Sequence, residues 1–450
     1  MPLLLYRLLF PFAFFLAFPF YALRLFRRER GRQSQAKPPG YKVGFGERFG
    51  SYSTALREQL AQGPAPIWIC SISVGETLLA LKLARALRAR EPELRIVLSV
   101  TTTTGYELLL REAASAPWLL PLYNPIDFRF AAGSALRTIC PRALVLIEGG
   151  IWPNLLSLAR ARRVPTILAS ARLSPRSERR WRKRPALARA VWNLFDFVCV
   201  PESTDIDRFS VIGIPTDRLR VTGNIKFDHA GADTISREPE FRTLAAQLGF
   251  TGEILVGGST WAPEEKALAA ALMELRRDWP QLRLILVPRH VERADEIIRD
   301  LAPLRIARRS QFIAGAAMPT DADILLIDTT GELRDWYRLA TVVFIGKTLP
   351  GIAEVGGQNM GEPAALGLPV VYGPHTENFI PLTAHLEAHD AAVRIPSAAE
   401  LVPTLRTLLA DPARRAALGA RAREAVTPHQ SAASRTAEII LQSASDHTRS

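Results

Sequence analysis

The sequence predicts an α/β protein in which two Rossmann-like, doubly wound domains follow an N-terminal membrane anchor. Short apolar runs alternate with loops and helical segments along most of the chain, which is typical of parallel sheets wrapped by helices. The chain has 450 residues, 48% of them hydrophobic, enough for two full cores. An almost wholly apolar stretch comes first. The expected segments are an anchor with a basic flank, two domains and a polar tail, at residues 1–32, 33–230, 231–442 and 443–450.

The apolar stretch at residues 3–25 is followed closely by arginines: Arg24, Arg27, Arg28, Arg30 and Arg32. A bilayer-spanning helix needs about 20 apolar residues, so the stretch is long enough. A cleaved signal peptide carries its positive charge before the apolar core, whereas here the heavier charge comes after it. No polar face is present, which argues against a buried amphipathic helix. The stretch predicts a separable anchor, spanning or interfacial, with both domains on the cytoplasmic side.

The first domain is predicted to contain strands that each end in a polar or glycine-containing loop. The runs lie at residues 67–70, 94–100, 143–147, 165–169 and 196–200. The loop after the first run contains Glu76, and the loop after the third begins with Glu148. Helical segments between the runs predict a parallel sheet.

The second domain repeats this pattern with more glycine in its loops. Its runs lie at residues 253–257, 282–287, 324–328, 341–345, 368–372 and 391–395. In open α/β sheets a nucleotide sits beyond the carboxyl ends of the strands. Glycines there let the backbone approach phosphate or ribose, and helix N-termini favour negative charge. Ordinary βα turns are the alternative on this pattern alone.

The net charge of +13 indicates an anionic partner, which nucleic acid, anionic lipid and a phosphorylated substrate would each satisfy. No zinc-finger or RNA-binding signature favours nucleic acid. Cys70, Cys140 and Cys199 are too scattered for a disulfide framework or a zinc site, so buried thiols in a reducing compartment are expected.

The stretch at residues 160–189 concentrates positive charge around Trp181. Its basic residues are Arg160, Arg162, Arg163, Arg172, Arg176, Arg179, Arg180, Arg182, Lys183, Arg184 and Arg189. A solvated basic face is one interpretation. Contact with a membrane surface or with the phosphates of a lipid substrate is favoured, because a basic residue near anionic lipid contributes about 1 kcal/mol.

Four motifs in the second domain occur in a fixed order. They are Asp-Thr-x-Gly-Glu-Leu at 328–333, Phe-x-Gly at 344–346, Gly-Gly-x-Asn-x-x-Glu-Pro-Ala at 356–364 and Gly-Pro-His-x-x-Asn-Phe at 373–379. Together they resemble the bacterial 3-deoxy-D-manno-octulosonic acid (Kdo) transferases, GT-B glycosyltransferases that move Kdo from CMP-Kdo onto a lipid A precursor in lipopolysaccharide biosynthesis. The resemblance extends from about Gly46 to Phe379. It implies the GT-B fold, CMP-Kdo as donor substrate, a lipid A precursor as acceptor, the inner membrane as location, and neither a cofactor nor a nucleic-acid partner.

The resemblance also assigns residues to the nucleotide. Val-Pro-Arg-His-x-Glu-Arg at 287–293 places Pro288 and Arg289 against CMP, and an arginine after a strand suits a phosphate, though a surface arginine is the alternative. Gly258 and Ser259 open a helix and suit a phosphate or carboxylate, although such residues are also plain N-caps. The remaining assigned residues are Thr330, Gly331, Glu332, Asn359, Met360, Gly361 and Glu362. Glu362 suits ribose hydroxyls and also a helix-capping role.

Glu47 is the implied catalytic residue, because Gly-Glu-Arg-Phe-Gly at 46–50 matches the family segment that carries the general base. A sugar hydroxyl that attacks an anomeric carbon must lose its proton as the bond forms, and a carboxylate can accept it. Glu76 is the second candidate base; it also suits a helix cap or an acceptor contact. No Asp-x-Asp pair is placed for a metal ion, so we expect protein groups alone to stabilise the departing CMP.

The sequence departs from the family pattern at several positions. Trp261 and Ala262 replace the usual His and Glu, Gln358 replaces His, Met360-Gly361 replaces Pro-Leu, and Gly150 replaces a second glutamate. Two alternatives therefore accompany the predicted Kdo transferase. One is a GT-B enzyme that uses a UDP-sugar in another lipid-linked pathway, and the other is a non-catalytic membrane-bound binding protein.

Overall fold

The chain folds into two compact units in a computed structural model that describes residues 3–16, 38, 40–41, 44–228, 237–315, 320–352 and 355–448. Unit 1 comprises Met1–Asp228 and Ser431–Ser450, and unit 2 comprises His229–Gln430. Each unit contains a seven-stranded sheet in which every pair of neighbouring strands is parallel. The predicted α/β class with two doubly wound sheets is confirmed.

The sheet of unit 1 is built from short apolar strands, most of which are buried at every position. They are β1 (Ile67–Ser71), β2 (Ile96–Val100), β3 (Leu119–Tyr123), β4 (Ala143–Ile147), β5 (Thr166–Ala169), β6 (Phe197–Val200) and β7 (Leu219–Val221). Their order is β3-β2-β1-β4-β5-β6-β7, so the direction of winding reverses between β1 and β4. Trp68 packs into one hydrophobic cluster and Ile67 and Ile69 into another, because alternate side chains point to opposite faces of the sheet.

The helices of unit 1 begin, in several cases, at Ser or Thr residues whose side chains accept a hydrogen bond from the first turn, as in α3, α4, α5 and α8. Before the last helix of the chain they are α1 (residues 3–16), α2 (Phe45–Arg48), α3 (Thr54–Ala61), α4 (Val74–Arg90), α5 (Thr103–Ala113), α6 (Arg129–Ile139), α7 (Pro153–Ala161), α8 (Pro175–Arg182), α9 (Pro185–Trp192) and α10 (Thr204–Val211).

Unit 2 repeats this architecture. Its strands are β8 (Ile254–Thr260), β9 (Arg283–Pro288), β10 (Ile306–Arg308), β11 (Ile324–Leu326), β12 (Val342–Ile345), β13 (Val370–Tyr372) and β14 (Val393–Arg394). Their order is β10-β11-β9-β8-β12-β13-β14, with the reversal between β8 and β12. The helices are α11 (Glu238–Gln247), α12 (Glu264–Leu275), α13 (Ala294–Asp300), α14 (Arg309–Ile313), α15 (Leu333–Tyr337), α16 (Gly361–Ala365), α17 (Ile380–Ala388), α18 (Leu401–Ala410) and α19 (Pro412–Val426).

The last helix, α20 (Ala432–Thr448), belongs to unit 1 and packs on α4. The carboxylate of Asp228 accepts hydrogen bonds from the N–H groups of Ser431 and Ala433, at 2.9 and 2.7 Å, and so caps the helix. Arg90 donates to the Ser434 hydroxyl at 3.0 Å. The second domain therefore ends at Gln430 in the structure, whereas the sequence placed its end at residue 442.

The sequence predicts a polar tail at 443–450, whereas in the structure helix α20 continues through residue 448. Ala444 is buried in the core of unit 1. The hydroxyl groups of Ser443 and Ser445 donate to the carbonyls of Ile439 and Leu441, which satisfies these polar side chains within the helix.

The N-terminal helix α1 packs against unit 1 through one of its faces. The Tyr6 hydroxyl donates to the Asp127 carboxylate at 2.9 Å. Phe10 and Phe14 contact Phe128, with ring centroids 5.4 and 5.0 Å apart. The structure does not confirm a separable anchor at residues 3–16, which contribute aromatic contacts and a part-buried hydrogen bond to the unit.

The rest of the predicted anchor, residues 17–25, and the arginines that follow it to residue 32 lie outside the described residues. Within the residues that the structure does describe, we find no helix that is both long enough and apolar enough to cross a membrane.

Candidate active site

The carboxyl ends of β1 and β4, at the reversal point of the first sheet, bring three charged side chains together. Glu76, in the first turn of α4, accepts a hydrogen bond from the Ile72 N–H at 2.7 Å. Glu148 follows β4 directly and forms an ion pair with Lys226. Glu148 adopts a left-handed backbone with φ 60°, which a side-chain-bearing residue rarely adopts and which is common at functional sites. Sheet reversal points are where open α/β folds bind ligands.

The surroundings of Glu76 shift the pKa of its carboxyl group. Burial is the main cause that raises the pKa of Glu76 above its ordinary value. The hydrogen bond from the Ile72 N–H lowers the pKa of Glu76. The negative charge of Glu148 raises this pKa, and the positive charge of Lys226 lowers it. A carboxyl group whose pKa lies nearer neutrality exchanges a proton with a hydroxyl substrate more effectively.

Glu47 lies at a different strand of the same sheet. It is only 4% exposed, and its carboxylate accepts a hydrogen bond from the Tyr123 N–H, at the end of β3, at 2.9 Å. The guanidinium of Arg48 stacks 4.0 Å from the centroid of the Tyr123 ring. Gly44 precedes this turn with φ 71°, and a Cβ there would lie within 1.9 Å of that ring, so glycine is required.

The structure therefore places both candidate bases at the carboxyl edge of the first sheet but on different strands. Glu47 is held at β3, which lies two strands away from β1 in the sheet order. Asn124 connects the two places, because its amide nitrogen donates to the Ser71 carbonyl at 2.5 Å and to the Thr101 hydroxyl at 3.0 Å. Glu76, not Glu47, shares its surroundings with Glu148 and Lys226.

In unit 2, the reversal point between β8 and β12 brings together three residues that are distant in sequence. A Cβ added to Gly258 would lie 2.0 Å from the Tyr337 hydroxyl, so the ring passes directly over this glycine. Burial raises the pKa of Tyr337 well above its ordinary value, and the nearby charge of Glu362 raises it further. Ser259 continues from Gly258 with φ 53°, which turns the chain at the end of β8.

The segment that opens α16 is ordered by its own side chains. The Asn359 amide nitrogen donates to the Glu362 carboxylate at 3.1 Å, and the Gly361 N–H donates to the Asn359 side-chain oxygen at 3.1 Å. Met360 is fully buried, so its side chain is a core group and only its backbone can reach a ligand. Glu362 is half-buried at the start of the helix, where the helix dipole favours its negative charge.

Glu332 has a structural partner that the sequence did not reveal. Its two carboxylate oxygens accept hydrogen bonds from the buried guanidinium of Arg309, each at 3.0 Å, and Thr329 donates to it at 2.8 Å. Burial acts to raise the pKa of Glu332, but these hydrogen bonds outweigh it and hold the pKa below its ordinary value. Thr330 and Gly331 are exposed beside it, so their backbone groups reach solvent.

The carboxylate of Glu264 accepts hydrogen bonds from the backbone N–H groups of the loop that follows β12. It is fully buried and accepts hydrogen bonds from the N–H groups of Lys347, Thr348 and Leu349, at 2.8, 2.9 and 3.1 Å. The Trp261 N–H donates to it as well, at 3.0 Å. Because this internal carboxylate satisfies the loop, a substrate phosphate cannot use the same three N–H groups.

Pro288 and Arg289 lie next to the turn after β8. Pro288 is buried at the end of β9, and the Arg289 N–H donates to the Thr260 carbonyl at 3.0 Å, which fixes the backbone. The Arg289 side chain is exposed, and within the described part of the chain no carboxylate forms an ion pair with it. Nearby, the Lys347 ammonium lies 4.4 Å from the Trp261 ring, which in turn contacts His290.

Sequence reasoning missed Lys226, Glu264, Arg309 and Tyr337 as organising residues. Lys226 belongs to Gly-Asn-Ile-Lys-Phe-Asp at 223–228, a polar stretch shortly after an apolar run, and that position was the available signal. The other three residues act through contacts that join different strands and helices, for which the local pattern carries no signal.

Comparison with known proteins supports the same family that the motifs resemble. A profile of the 3-deoxy-D-manno-octulosonic-acid transferase (kdotransferase) family matches residues 43–229. The chain is 36% identical over 405 residues to the 3-deoxy-D-manno-octulosonic acid transferase of Bordetella pertussis, over 87% of this chain and 90% of that one. It is 30% identical over 409 residues to the Haemophilus influenzae enzyme of the same name, over 90% and 92% of the two chains.

Among solved structures, the C-terminal CMP-Kdo binding domain of WaaA from Acinetobacter baumannii matches 42% of this chain and 97% of that domain, at 30% identity and a TM-score of 0.38. The length and identity of the two sequence matches above decide the assignment. The chain belongs to the 3-deoxy-D-manno-octulosonic acid (Kdo) transferases, a family of glycosyltransferases.

Proposed function

We propose that the protein transfers Kdo from CMP-Kdo to a hydroxyl group of a lipid A precursor. The chain belongs to the Kdo transferase family, and one observation carries this proposal: each of its two sheets has a reversal point that is lined by polar residues. One holds Glu76, Glu148 and Lys226, and the other has Arg289 and Glu362 around the turn at Gly258. Two Rossmann-like units with a polar site in each are the arrangement expected of a GT-B glycosyltransferase.

Unit 2 is the proposed donor-binding unit. The exposed guanidinium of Arg289 binds the phosphate of CMP, and Ser259 lines the same turn. The carboxylate of Glu362 accepts hydrogen bonds from ribose hydroxyls, while the backbone groups of Thr330 and Gly331 contact the nucleotide. The Glu332 carboxylate, assigned to the nucleotide by the motifs, also positions this segment through its hydrogen bonds with Arg309.

Unit 1 is the proposed acceptor-binding unit, with Glu47 as general base and Glu76 as the competing candidate. The acceptor hydroxyl transfers its proton to the carboxylate while its oxygen bonds to the anomeric carbon of Kdo. The bond from that carbon to the CMP phosphate oxygen breaks, and its electron pair leaves with CMP. We propose that Arg289 and backbone N–H groups stabilise the departing phosphate without a metal ion.

The proposed location is the cytoplasmic face of the inner membrane, where a lipid-borne acceptor is available. The apolar outer face of α1 supports membrane association, as do the arginines of α8. The positive charge that follows the apolar stretch supports the cytoplasmic side.

Incubation of the purified protein with CMP-Kdo and a lipid A precursor tests the function, with the lipid products measured by mass spectrometry. We expect the acceptor mass to increase by one or more Kdo units and CMP to be released. Transfer from a UDP-sugar that CMP does not inhibit would identify a different GT-B enzyme. Nucleotide binding without transfer of any sugar would identify a non-catalytic binding protein.

A further inference from the structure

The outer face of α1 is an apolar surface fixed in place on unit 1. Tyr6, Phe10 and Phe14 face inward, where they contact Asp127 and Phe128. The opposite face exposes seven large apolar side chains: Leu4, Leu5, Leu8, Leu9, Phe12, Phe15 and Leu16. Phe12 is 78% exposed and Leu16 75% exposed. A large exposed apolar surface of this kind marks an interaction site.

A groove runs between this helix and α9. It has a volume of about 790 Å³, and Leu4, Leu5, Leu8 and Leu9 form one of its walls. The other wall is the start of α9, from Arg184 to Leu187. The walls are almost entirely apolar, so the groove suits a hydrocarbon chain and not a polar ligand.

A basic depression of about 420 Å³ adjoins the groove. Its lining consists of five basic side chains: Arg176, Arg179, Arg180, Lys183 and Arg184. Arg184 lines both the depression and the groove, so the two adjoin at this residue. Long arginine side chains can lie along apolar surface while their charged ends face water.

The charge of this depression is not neutralised from within the described part of the protein. The nearest acidic residue on α8, Glu178, accepts hydrogen bonds from Arg182 at 2.6 Å and from Arg208 at 3.0 Å, and neither of these arginines lines the depression. Among the described residues, no carboxylate forms an ion pair with any of the five lining residues. Clustered like charges repel one another, and an anion with several oxygens relieves that repulsion.

We propose that the groove and the depression form one binding site for an anionic phospholipid of the membrane leaflet. An acyl chain lies along the groove between α1 and α9, and the phosphate lies among the arginines of α8. The proposal rests on the membrane association put forward under Proposed function and goes beyond it, because it assigns a discrete headgroup site. A bilayer lipid is favoured over a single soluble ligand, since Phe12, Phe15 and Leu16 extend the apolar surface beyond the groove.

Vesicle flotation with the full-length protein tests the proposal. The vesicles contain phosphatidylglycerol in phosphatidylcholine, or phosphatidylcholine alone, and neither CMP-Kdo nor acceptor is present. The double variant R179Q/R180Q removes two lining charges from exposed positions and is expected to weaken binding to the anionic vesicles by roughly 20- to 30-fold. Binding to neutral vesicles should stay as in the parent.

The matched control is R162Q/R163Q, which removes two exposed charges of the same unit that lie outside the depression. Binding of this control to the anionic vesicles should fall by less than a third of the factor expected for R179Q/R180Q. Equal losses in the two double variants would overturn the proposal in favour of general electrostatic attraction. Displacement of the parent from anionic vesicles by millimolar inorganic phosphate would overturn it in favour of a free-phosphate site.

The apolar half of the site has its own variant, L9Q, which places a polar group in the groove wall. It should weaken binding to both kinds of vesicle, because the acyl-chain contact does not depend on charge. Unchanged flotation of L9Q would overturn the two-part site. Transfer by the parent in detergent is a separate readout, so a failed lipid site and a failed Kdo transferase assignment give different results.

Discussion

Glu47 and Glu76 can be distinguished as general bases by matched amide variants. If Glu47 is the base, E47Q keeps a side-chain oxygen for the Tyr123 N–H but cannot accept the proton. Turnover should fall by roughly 10²- to 10⁴-fold while the affinity for CMP-Kdo stays the same. Steady-state kinetics of both variants, with thermal unfolding as the check on folding, measure this.

E76Q should reduce turnover less than E47Q does, because in this assignment Glu76 only caps α4 and contacts the acceptor. The opposite ranking, with transfer abolished in E76Q and retained in E47Q, would move the base to Glu76. The raised pKa of Glu76 makes that outcome chemically reasonable, so this pair of variants separates two well-defined mechanisms.

Arg289 and Glu362 are expected to contribute directly to nucleotide affinity. R289A and E362A should each weaken CMP binding by roughly 1.5–3 kcal/mol, the range for a lost charge-assisted hydrogen bond. Isothermal titration calorimetry with CMP measures it, and R299A on α13 is an exposed arginine control. Parent-like affinity in both variants would exclude the turn at Gly258 as the phosphate site.

We expect Glu332 to contribute to the stability of the fold. E332Q removes the nearer of the two carboxylates that pair with the buried Arg309 guanidinium, at 3.0 Å against 3.7 Å for Glu240. Breaking a buried pair costs up to roughly 3–5 kcal/mol of unfolding free energy, so we expect a loss within that range. Because the folded-state pKa of Glu332 is lowered, the pair stabilises the protein above the unfolded-state pKa and is lost as the pH falls through the folded-state pKa. Denaturant unfolding at neutral and acidic pH should therefore show a smaller acid loss in E332Q than in the parent. Identical profiles in the two proteins would contradict this role.

At the scale of elements, Asp127 joins helix α1 to the start of α7. It accepts hydrogen bonds from Tyr6 and from the N–H groups of Asn154 and Leu155, at 2.9, 2.9 and 2.8 Å. Burial is the main cause that raises the pKa of Asp127 to about 6, against the lowering effect of these donors. The protonated form is favoured on folding, so this contribution to stability is present below the unfolded-state pKa and lost as the pH rises through about 6.

The expected result is a flatter pH profile of thermal unfolding in D127N between pH 4 and pH 7, since the substituted amide does not titrate. Y6F is the matched control, because it removes one donor and keeps the carboxylate. A D127N profile as steep as that of the parent would show that other groups cause the pH dependence.

Strands with regular apolar runs were predictable, and the exceptions have local causes. β3 was missed: Pro121 interrupts its run, and proline is confined to edge strands such as this one. β7 (Leu-Arg-Val) and β10 (Ile-Ala-Arg) each include an arginine among only three residues, so no apolar run marks them. The catalytic and nucleotide candidates came from motifs, whereas the Glu76–Glu148–Lys226 cluster depends on the sheet order, which a local pattern does not determine.

At the scale of the whole molecule, the return of α20 to unit 1 makes that unit depend on the last described part of the chain. Deletion of residues 431–450 removes the helix that Asp228 caps and exposes the apolar side of α4. We expect a lower thermal midpoint and loss of transfer, with CMP affinity within about twofold of the parent, because the proposed donor site lies wholly in unit 2. Calorimetry of unfolding and of CMP binding measures both; loss of CMP binding would contradict the independence of unit 2.

The return of α20 to unit 1 also determines the order in which the two units can be completed during synthesis. Unit 2 is inserted within unit 1, which the chain leaves at Asp228 and re-enters at Ser431. During synthesis, all of unit 2 is translated before the helix that completes unit 1. The leucine-rich face of α4 that α20 covers therefore stays uncovered for the time needed to translate about 200 further residues. At roughly 5–20 residues per second this is about 10–40 s, long enough for a chaperone or the membrane surface to act on the unfinished unit.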